Sequence, residues 1–85
     1  MTTRAPDGAW LVHARWDDES RSWWTDGEDI PGLCCQAATL EELAAVVLDL
    51  APELLVANGE ITAIEGAEVP ITIVAERRGV ARLVA

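Results

Sequence analysis

The chain has 85 residues, of which 51% are hydrophobic, and its formal net charge at pH 7 is −9. This length predicts a single domain over residues 1–85, able to bury roughly 60% of the surface that the unfolded chain exposes. The negative charge argues against direct nucleic-acid binding and against anionic membrane surfaces, because both need clustered basic residues. It favours a basic protein as partner.

The apolar runs, the two cysteines and the single histidine bear on localisation and on cofactors. Arg4 has no apolar run behind it, and the apolar runs are shorter than the ~20 residues that span a bilayer, so we expect a soluble cytoplasmic protein. Cys34 and Cys35 are adjacent and His13 is the single histidine. Side chains of neighbouring strand residues point to opposite faces. We therefore expect two reduced cysteines, one inward and one outward, with no metal and no cofactor.

The N-terminal half predicts three strands. Residues 1–8 are polar and should be frayed, and residues 10–16 alternate as a first strand. One face of that strand carries Trp10, Val12, Ala14 and Trp16 and should meet the helix, and the other carries Leu11, His13 and Arg15. Residues 22–26 and 33–37 predict strands two and three, joined through turns at 17–21 and 27–32.

Trp23 and Trp24 must lie on opposite faces of the second strand. One of them should be a core residue, and the other should lie on the far side of the sheet. An exposed tryptophan there would suit an interface, since tryptophan is enriched at binding hot spots. The alternative is a partly covered surface side chain packed against Arg15 or Leu11.

A single long helix follows the third strand. Thr39 and Glu42 form a capping-box pattern, and Gly59 is placed to end the helix in a left-handed conformation. The apolar stripe recurs at three- and four-residue spacing and consists of Leu40, Leu43, Val46, Val47, Leu50, Leu54 and Leu55. Pro52 falls inside this stripe, and we expect a kinked but continuous helix of roughly 18 residues.

The C-terminal part contains a connector at residues 60–69, a fourth strand at 69–76, and a segment at 78–85 that is either a tail or a last edge strand. The predicted fold is therefore α+β in the order β-β-β-α-β. Three strands are antiparallel, the fourth runs parallel to the first, and the helix covers one face. The bare face would carry Leu11, one of the two tryptophans, one cysteine and Val74. An apolar sheet face of this kind predicts an association surface.

Several short segments resemble the HicB-like antitoxin superfamily, over about residues 9–77. The segments are Trp16 to Glu19, Glu28 to Leu33, Ala38 to Leu43, Asp49 to Leu55, Asn58-Gly59 and Val69 to Ile71. The resemblance implies a partial ribonuclease H-like sheet with one helix. It also implies a role in neutralising a small basic toxin that cleaves messenger RNA. Many members carry a second, DNA-binding domain after the sheet domain, and the sequence to Ala85 predicts none.

An enzyme is the rival interpretation. A two-metal nuclease needs converging carboxylates, and the candidates are Asp17, Asp18, Asp26, Glu28 and Asp29. All of them fall in predicted turns or strand ends, where acidic residues are ordinary solvent-facing turn formers. His13 has no partner that the sequence places beside it. We therefore expect a non-enzymatic protein-binding module, with Leu11, Trp23, Trp24 and Val74 as candidate interface residues. The alternative is a self-associating module, most simply a homodimer.

Overall fold

The central strand of the sheet is β1 (Trp10–Asp17), whose residues alternate between buried and more exposed positions. In the computed structural model, which describes residues 4–84, β1 pairs antiparallel with β2 (Ser22–Trp24). On its other side β1 pairs in parallel with β4 (Ile71–Glu76). This parallel pairing of the first and last strands is the one that the sequence predicts.

A short strand and a long helix complete the fold. The strand β3 (Gln36–Ala37) pairs antiparallel with β2, so the sheet order is β3-β2-β1-β4. The helix α1 (Leu40–Ala57) lies between β3 and β4 in the chain and packs on one face of the sheet. The α+β prediction, with the order β-β-β-α-β, is confirmed. Within residues 4–84 no helix combines the length and the apolarity needed to cross a membrane.

The helix begins and ends at the predicted signals. At its start the Thr39 hydroxyl accepts a hydrogen bond from the backbone N–H of Glu42, at 3.1 Å. Its C-terminal end is closed by Gly59, which has a φ of +76°. The Gly59 N–H donates to Val56 O at 3.0 Å, and the next N–H donates to Leu55 O at 2.9 Å, which is the Schellman pattern. The helix continues through Pro52 for 18 residues, as predicted.

The buried face of α1 differs in part from the predicted stripe. Leu50 and Val46 are each 37% exposed, and their expected place in the core is therefore wrong. The buried positions follow a strict four-residue spacing and are Leu43, Val47, Ala51 and Leu55. Such a narrow row suits a helix that packs across a sheet of four strands. Ala51 belongs to this row although its small side chain contributes little to a hydrophobic pattern.

The core lies between this row and the inner face of the sheet. Its other members are Trp10, Val12 and Ala14 from β1, with Ile30, Leu33 and Cys35 from the segment that joins β2 to β3. Trp16 was expected to be a core residue, but it is only half-buried at the end of the strand. Its ring packs edge-on against Trp23, with 5.3 Å between ring centroids, and the Arg77 guanidinium lies 4.0 Å from its ring centroid.

The predicted third strand is largely replaced by a turn. Of residues 33–37, the structure has strand only at Gln36–Ala37. The cause is Thr25, a buried residue whose hydroxyl donates to Leu33 O at 2.6 Å and accepts from Cys35 N at 3.0 Å. These two bonds take backbone groups that a strand partner would otherwise use, so the ladder with β2 starts later in the chain than expected.

The Thr25 hydroxyl gives a direct test of this account. Replacing Thr25 with valine keeps the shape of the side chain but leaves Leu33 O and Cys35 N unpaired in a buried place. We expect the free energy of unfolding to fall by about 2–4 kcal/mol in chemical denaturation, because each buried unsatisfied group costs about 1–3 kcal/mol. Thr25→Ser keeps the hydroxyl and should cost clearly less. Equal losses in the two variants would mean that the hydroxyl does not hold the turn.

The chain ends also differ from a simple expectation. Where the sequence predicts a frayed start over residues 1–8, residues 4–8 form a hydrogen-bonded turn, and residues 1–3 lie outside the described part. Arg4 donates to Gly8 O at 2.6 Å and its guanidinium lies 3.9 Å from the ring centroid of Trp10. Of the two alternatives for the C-terminal segment, residues 78–84 form a tail with no strand, and Ala85 lies outside the described part.

Candidate functional site: the uncovered face of the sheet

The sheet face opposite α1, called the uncovered face below, is the candidate site. No other helix or strand of residues 4–84 lies against it. Its side chains are set by the alternation of the strands and by the pairing registers. They are Leu11, His13, Arg15, Asp17, Ser22, Trp24, Gln36, Thr72, Val74 and Glu76. The face therefore mixes apolar, aromatic and charged groups.

The two tryptophans of β2 occupy opposite faces, as expected, and the structure decides which is which. Trp23 packs against the core beside Trp16 and is therefore the tryptophan that the sequence analysis expected in the core, away from the uncovered face. Trp24 lies on the uncovered face opposite Arg15 in the register. The Arg15 guanidinium is 5.9 Å from the Trp24 ring centroid, and Trp24 is half-buried. This is the partly covered arrangement that the sequence analysis gives as the alternative.

The apolar members of the uncovered face form two groups. In the parallel register Leu11 lies opposite Thr72, and Val74 lies opposite His13. Val74 is thus two residues further along β4 on the same face, so Leu11 and Val74 are diagonal neighbours. Trp24 lies in the next row, where Arg15 separates it from β4. Leu11 is half-buried and Val74 is 40% exposed. The structure thus brings Leu11 and Val74 together and places Trp24 across Arg15 from them.

Arg15 is the central charged residue of the uncovered face, and the sequence analysis names it only as one of two side chains against which a surface tryptophan could pack. Its Nε lies 3.6 Å from Oδ2 of Asp26. The side chain remains 54% exposed, so this ion pair contributes little to stability. The guanidinium thus lies between the Asp26 carboxylate and the Trp24 ring. The signal for this contact in the sequence is the alternation of the first strand, which puts Arg15 on the face away from the helix.

His13 and Asp29 form a pair that sequence reasoning missed. One oxygen of Asp29, Oδ2, accepts from the backbone N–H of His13 at 2.7 Å and lies 3.0 Å from Nδ1 of the same residue. The sequence placed no partner beside His13, and the structure places Asp29 there. Because β2 pairs with β1 only from Arg15 onward, the Asp29 carboxylate takes the place of a strand partner at His13. This gives the turn before Ile30 a fixed position against the sheet.

Of the other candidate carboxylates, Asp17 and Asp18 have partners within their own hairpin turn. Asp17 accepts a bond from the Ser20 hydroxyl at 2.7 Å, and this bond, aided by two backbone N–H groups, lowers the pKa of Asp17 below its usual value. Asp18 pairs with Arg21 at 2.9 Å, at the exposed end of the hairpin. Glu28 is exposed in the second turn. Among residues 4–84 no group of three or more histidine, cysteine, aspartate or glutamate residues could hold a metal ion.

An open depression of about 660 Å³ adjoins the uncovered face at the β2–β3 end of the sheet. Trp24, Gln36 and both cysteines contribute to its lining. Cys34 is exposed and Cys35 is buried, and both are free thiols, which confirms the expected inward and outward arrangement. Because the depression opens beside Trp24, it extends the surface that a partner could contact.

Comparisons with known proteins give the relatives of this chain. A family model described as "Domain of unknown function (DUF1902)" matches residues 9–85. A crystal structure of hypothetical protein TTHA1013, from the extremely thermophilic bacterium Thermus thermophilus, is 36% identical in sequence and superposes with a TM-score of 0.62. That match covers 84% of this chain and 99% of the other chain. A search of curated proteins finds no match.

Proposed function

Since the chain belongs to the DUF1902 family, whose function is not established, we propose from its surface that it is a protein-binding module and not an enzyme. The observation that carries this proposal is the uncovered face itself. One face of a four-stranded sheet is left without a covering layer in residues 4–84, although sheets in small domains are stabilised by burying their apolar faces. A bound protein would supply the missing layer.

The chemistry of the uncovered face suits a protein partner. Interfaces are enriched in tryptophan and arginine, and hot spots combine them in well-packed places. Here the Arg15 guanidinium lies beside the Trp24 ring, and Val74 and Leu11 supply aliphatic area next to them. The neighbouring Thr72 and Gln36 can donate and accept hydrogen bonds at the margin.

The charge of the chain indicates the kind of partner. The whole sequence contains fifteen acidic residues and six arginines. Electrostatic fields of opposite sign speed the association of two proteins and help to select the partner. A small basic protein is the partner that the net charge of the chain favours. The resemblance to HicB-type antitoxins makes the proposal specific: the partner would be a small basic toxin that cleaves messenger RNA, and binding by this chain would neutralise it.

The proposal is tested by capturing partners on the tagged chain from a lysate of its own cells. The expected result is a small basic protein that is retained at low salt and lost at high salt, because salt screens the attraction. A Val74→Asp bait should lose it as well, since this change puts a charge into the apolar part of the uncovered face. The matched control is Leu48→Asp, on the solvent side of α1, where the side chain is 53% exposed.

The antitoxin role needs a second readout. The captured protein should cleave messenger RNA in vitro, and adding wild-type chain in equimolar amount should stop the cleavage. The Val74→Asp chain should fail to stop it, and Leu48→Asp should succeed. If the Val74→Asp bait retained the same protein as the wild-type bait, the docking surface would not be the uncovered face. A captured protein without nuclease activity would refute the antitoxin role.

A further inference from the structure

The last part of the chain is an apolar arm with almost no contact to the rest of the molecule. We define the C-terminal arm as residues 78–84. Its three large apolar side chains, Val80, Leu83 and Val84, are 94%, 95% and 85% exposed. Leaving this much aliphatic surface in water is unfavourable wherever a protein surface could bury it.

The charge of the C-terminal arm is opposite to that of the rest of the chain. Its two charged residues are Arg78 and Arg82. All fifteen acidic residues precede it, together with the other four arginines, so residues 1–77 have a formal charge of −11. The basic C-terminal arm is therefore attracted electrostatically to the acidic surface of another copy of this chain.

The edge of the sheet beside the arm is open. In the order β3-β2-β1-β4, the strand β4 has no neighbour on its outer side among residues 4–84. The opposite edge, β3, is only two residues long, whereas β4 has six residues and its only charged residue is Glu76. A long, nearly uncharged edge strand is a template for pairing with a further strand.

A groove for the arm lies near the start of β4. We call it the connector groove. It has a volume of about 180 Å³ and lies between Pro52 and Val56 of α1 and the side chains of Ile61, Ile64 and Val69. Glu53 belongs to its lining, and Glu60, Glu65 and Glu68 are exposed in the same connector. The groove is thus apolar inside and acidic around it, which complements the C-terminal arm in both respects.

We propose that two copies of this chain pair through their β4 edges and exchange C-terminal arms, so that each arm lies in the connector groove of the other copy. Two-fold pairing of identical edge strands is antiparallel. The end of one β4 strand, Glu76, then lies level with the start of the other, Ile71. The arm that continues past Glu76 runs along the residues that precede Ile71 in the other copy, and these residues form the connector groove.

The exchange uses each of the features above. The backbone groups on the outer side of β4 gain partners, and Val80 and Leu83 gain an apolar surface. Arg78 and Arg82 approach the glutamates of the connector. Pairing of the two β4 edges joins the sheets through backbone groups in the plane of the sheet, so the uncovered face stays open in the dimer although Thr72, Val74 and Glu76 belong to β4. The exchange therefore does not depend on whether a basic partner binds there.

The test is sedimentation velocity on the purified chain over a series of concentrations. Wild-type protein should sediment at twice the chain mass of 9.2 kDa. Leu83→Glu should raise the dissociation constant by about a hundredfold or more, because symmetry places the change at both docking sites. Circular dichroism should be unchanged, since Leu83 is 95% exposed within its own chain. The matched control, Leu48→Glu on α1, should dimerise like the wild type.

A second measurement locates the arm. In a mixture of isotope-labelled and unlabelled chains, filtered nuclear Overhauser effects should connect the methyl groups of Leu83 in one copy with those of Ile64 in the other. A monomeric wild-type chain overturns the proposal, as does a Leu83→Glu chain that dimerises as tightly as the wild type. If Leu83 and Ile64 showed nuclear Overhauser effects only within a single chain, the arm would lie in the connector groove of its own chain. This result also overturns the exchange.

Discussion

We expect Leu43→Ala to lower the free energy of unfolding by about 2–5 kcal/mol, measured by chemical denaturation. Leu43 has no exposed surface and lies at the N-terminal end of the buried row of α1. Truncating it removes apolar burial and leaves a cavity that the surrounding side chains fill only in part. A domain of this size has an unfolding free energy of the order of 5–15 kcal/mol, so the loss is a large fraction of its stability.

Leu50→Ala is the matched control for this prediction. It removes the same atoms from the same helix, but Leu50 is 37% exposed and lies beside the buried row. We expect a loss of about 1 kcal/mol or less, close to the centre of the distribution for point mutants. Similar losses at Leu43 and Leu50 would contradict the four-residue spacing and would restore the wider stripe that the sequence suggests.

The second large effect is expected at Ile30, in the turn between β2 and β3. Ile30→Ala should also cost about 2–5 kcal/mol, although the residue lies in neither a helix nor a strand. Its side chain is completely buried in the core, and its carbonyl accepts a hydrogen bond from Leu33 N at 2.9 Å. Neighbouring contacts fix the turn from both sides, through Asp29 on His13 and through Pro31 O, which accepts from the Asn58 side chain at 3.0 Å.

The control for Ile30 is Leu48→Ala, an aliphatic truncation on the exposed side of α1, which should change stability by about 0.5 kcal/mol or less. A second measurement distinguishes loosening of the turn from loss of core packing. Hydrogen exchange should be faster in Ile30→Ala at the backbone amides of Thr25, which donates to Cys35 O, and of Cys35, which donates to the Thr25 hydroxyl. An Ile30→Ala protein as stable as the wild type would show that the turn is a surface loop and contributes nothing to the core.

Local signals were enough to predict the helix and the order of the elements. The Thr39 cap, the closing Gly59 and the apolar spacing each act within a few residues, so they are readable from one sequence. Alternation likewise placed β1 and β4 and the faces of their side chains. These features depend on residues that are close in sequence, and they do not require contacts with distant parts of the chain.

The features that sequence reasoning missed depend on distant residues. The third strand is short because of the Thr25 hydroxyl, which bonds backbone groups 8 and 10 residues away. His13 and Asp29 are 16 residues apart and meet only because a turn returns to the sheet. Ala51 belongs to the core through its position on the helix, and its small side chain gives no hydrophobic signal. Such contacts are set by tertiary structure.

The candidate site was predicted in part for the same reason. Alternation assigned Leu11 and Val74 to the uncovered face, but the choice between Trp23 and Trp24 required the register of β2 against β1. Arg15 became a central residue only when that register placed it opposite Trp24. A one-residue shift in pairing would have exchanged the two tryptophans, and nothing in the local sequence excludes such a shift.

The sheet order β3-β2-β1-β4 has a consequence for the order in which the protein assembles. Four residues separate β1 from β2, but 53 residues separate β1 from β4. Closing the longer loop costs about 2 kcal/mol more in chain entropy, because each doubling of length adds about 0.6 kcal/mol. The hairpin of β1 and β2 therefore closes at the lower entropic cost, and we expect β4 to be the last strand to join. The edge at which a second copy would dock exists only once folding of the single chain is complete.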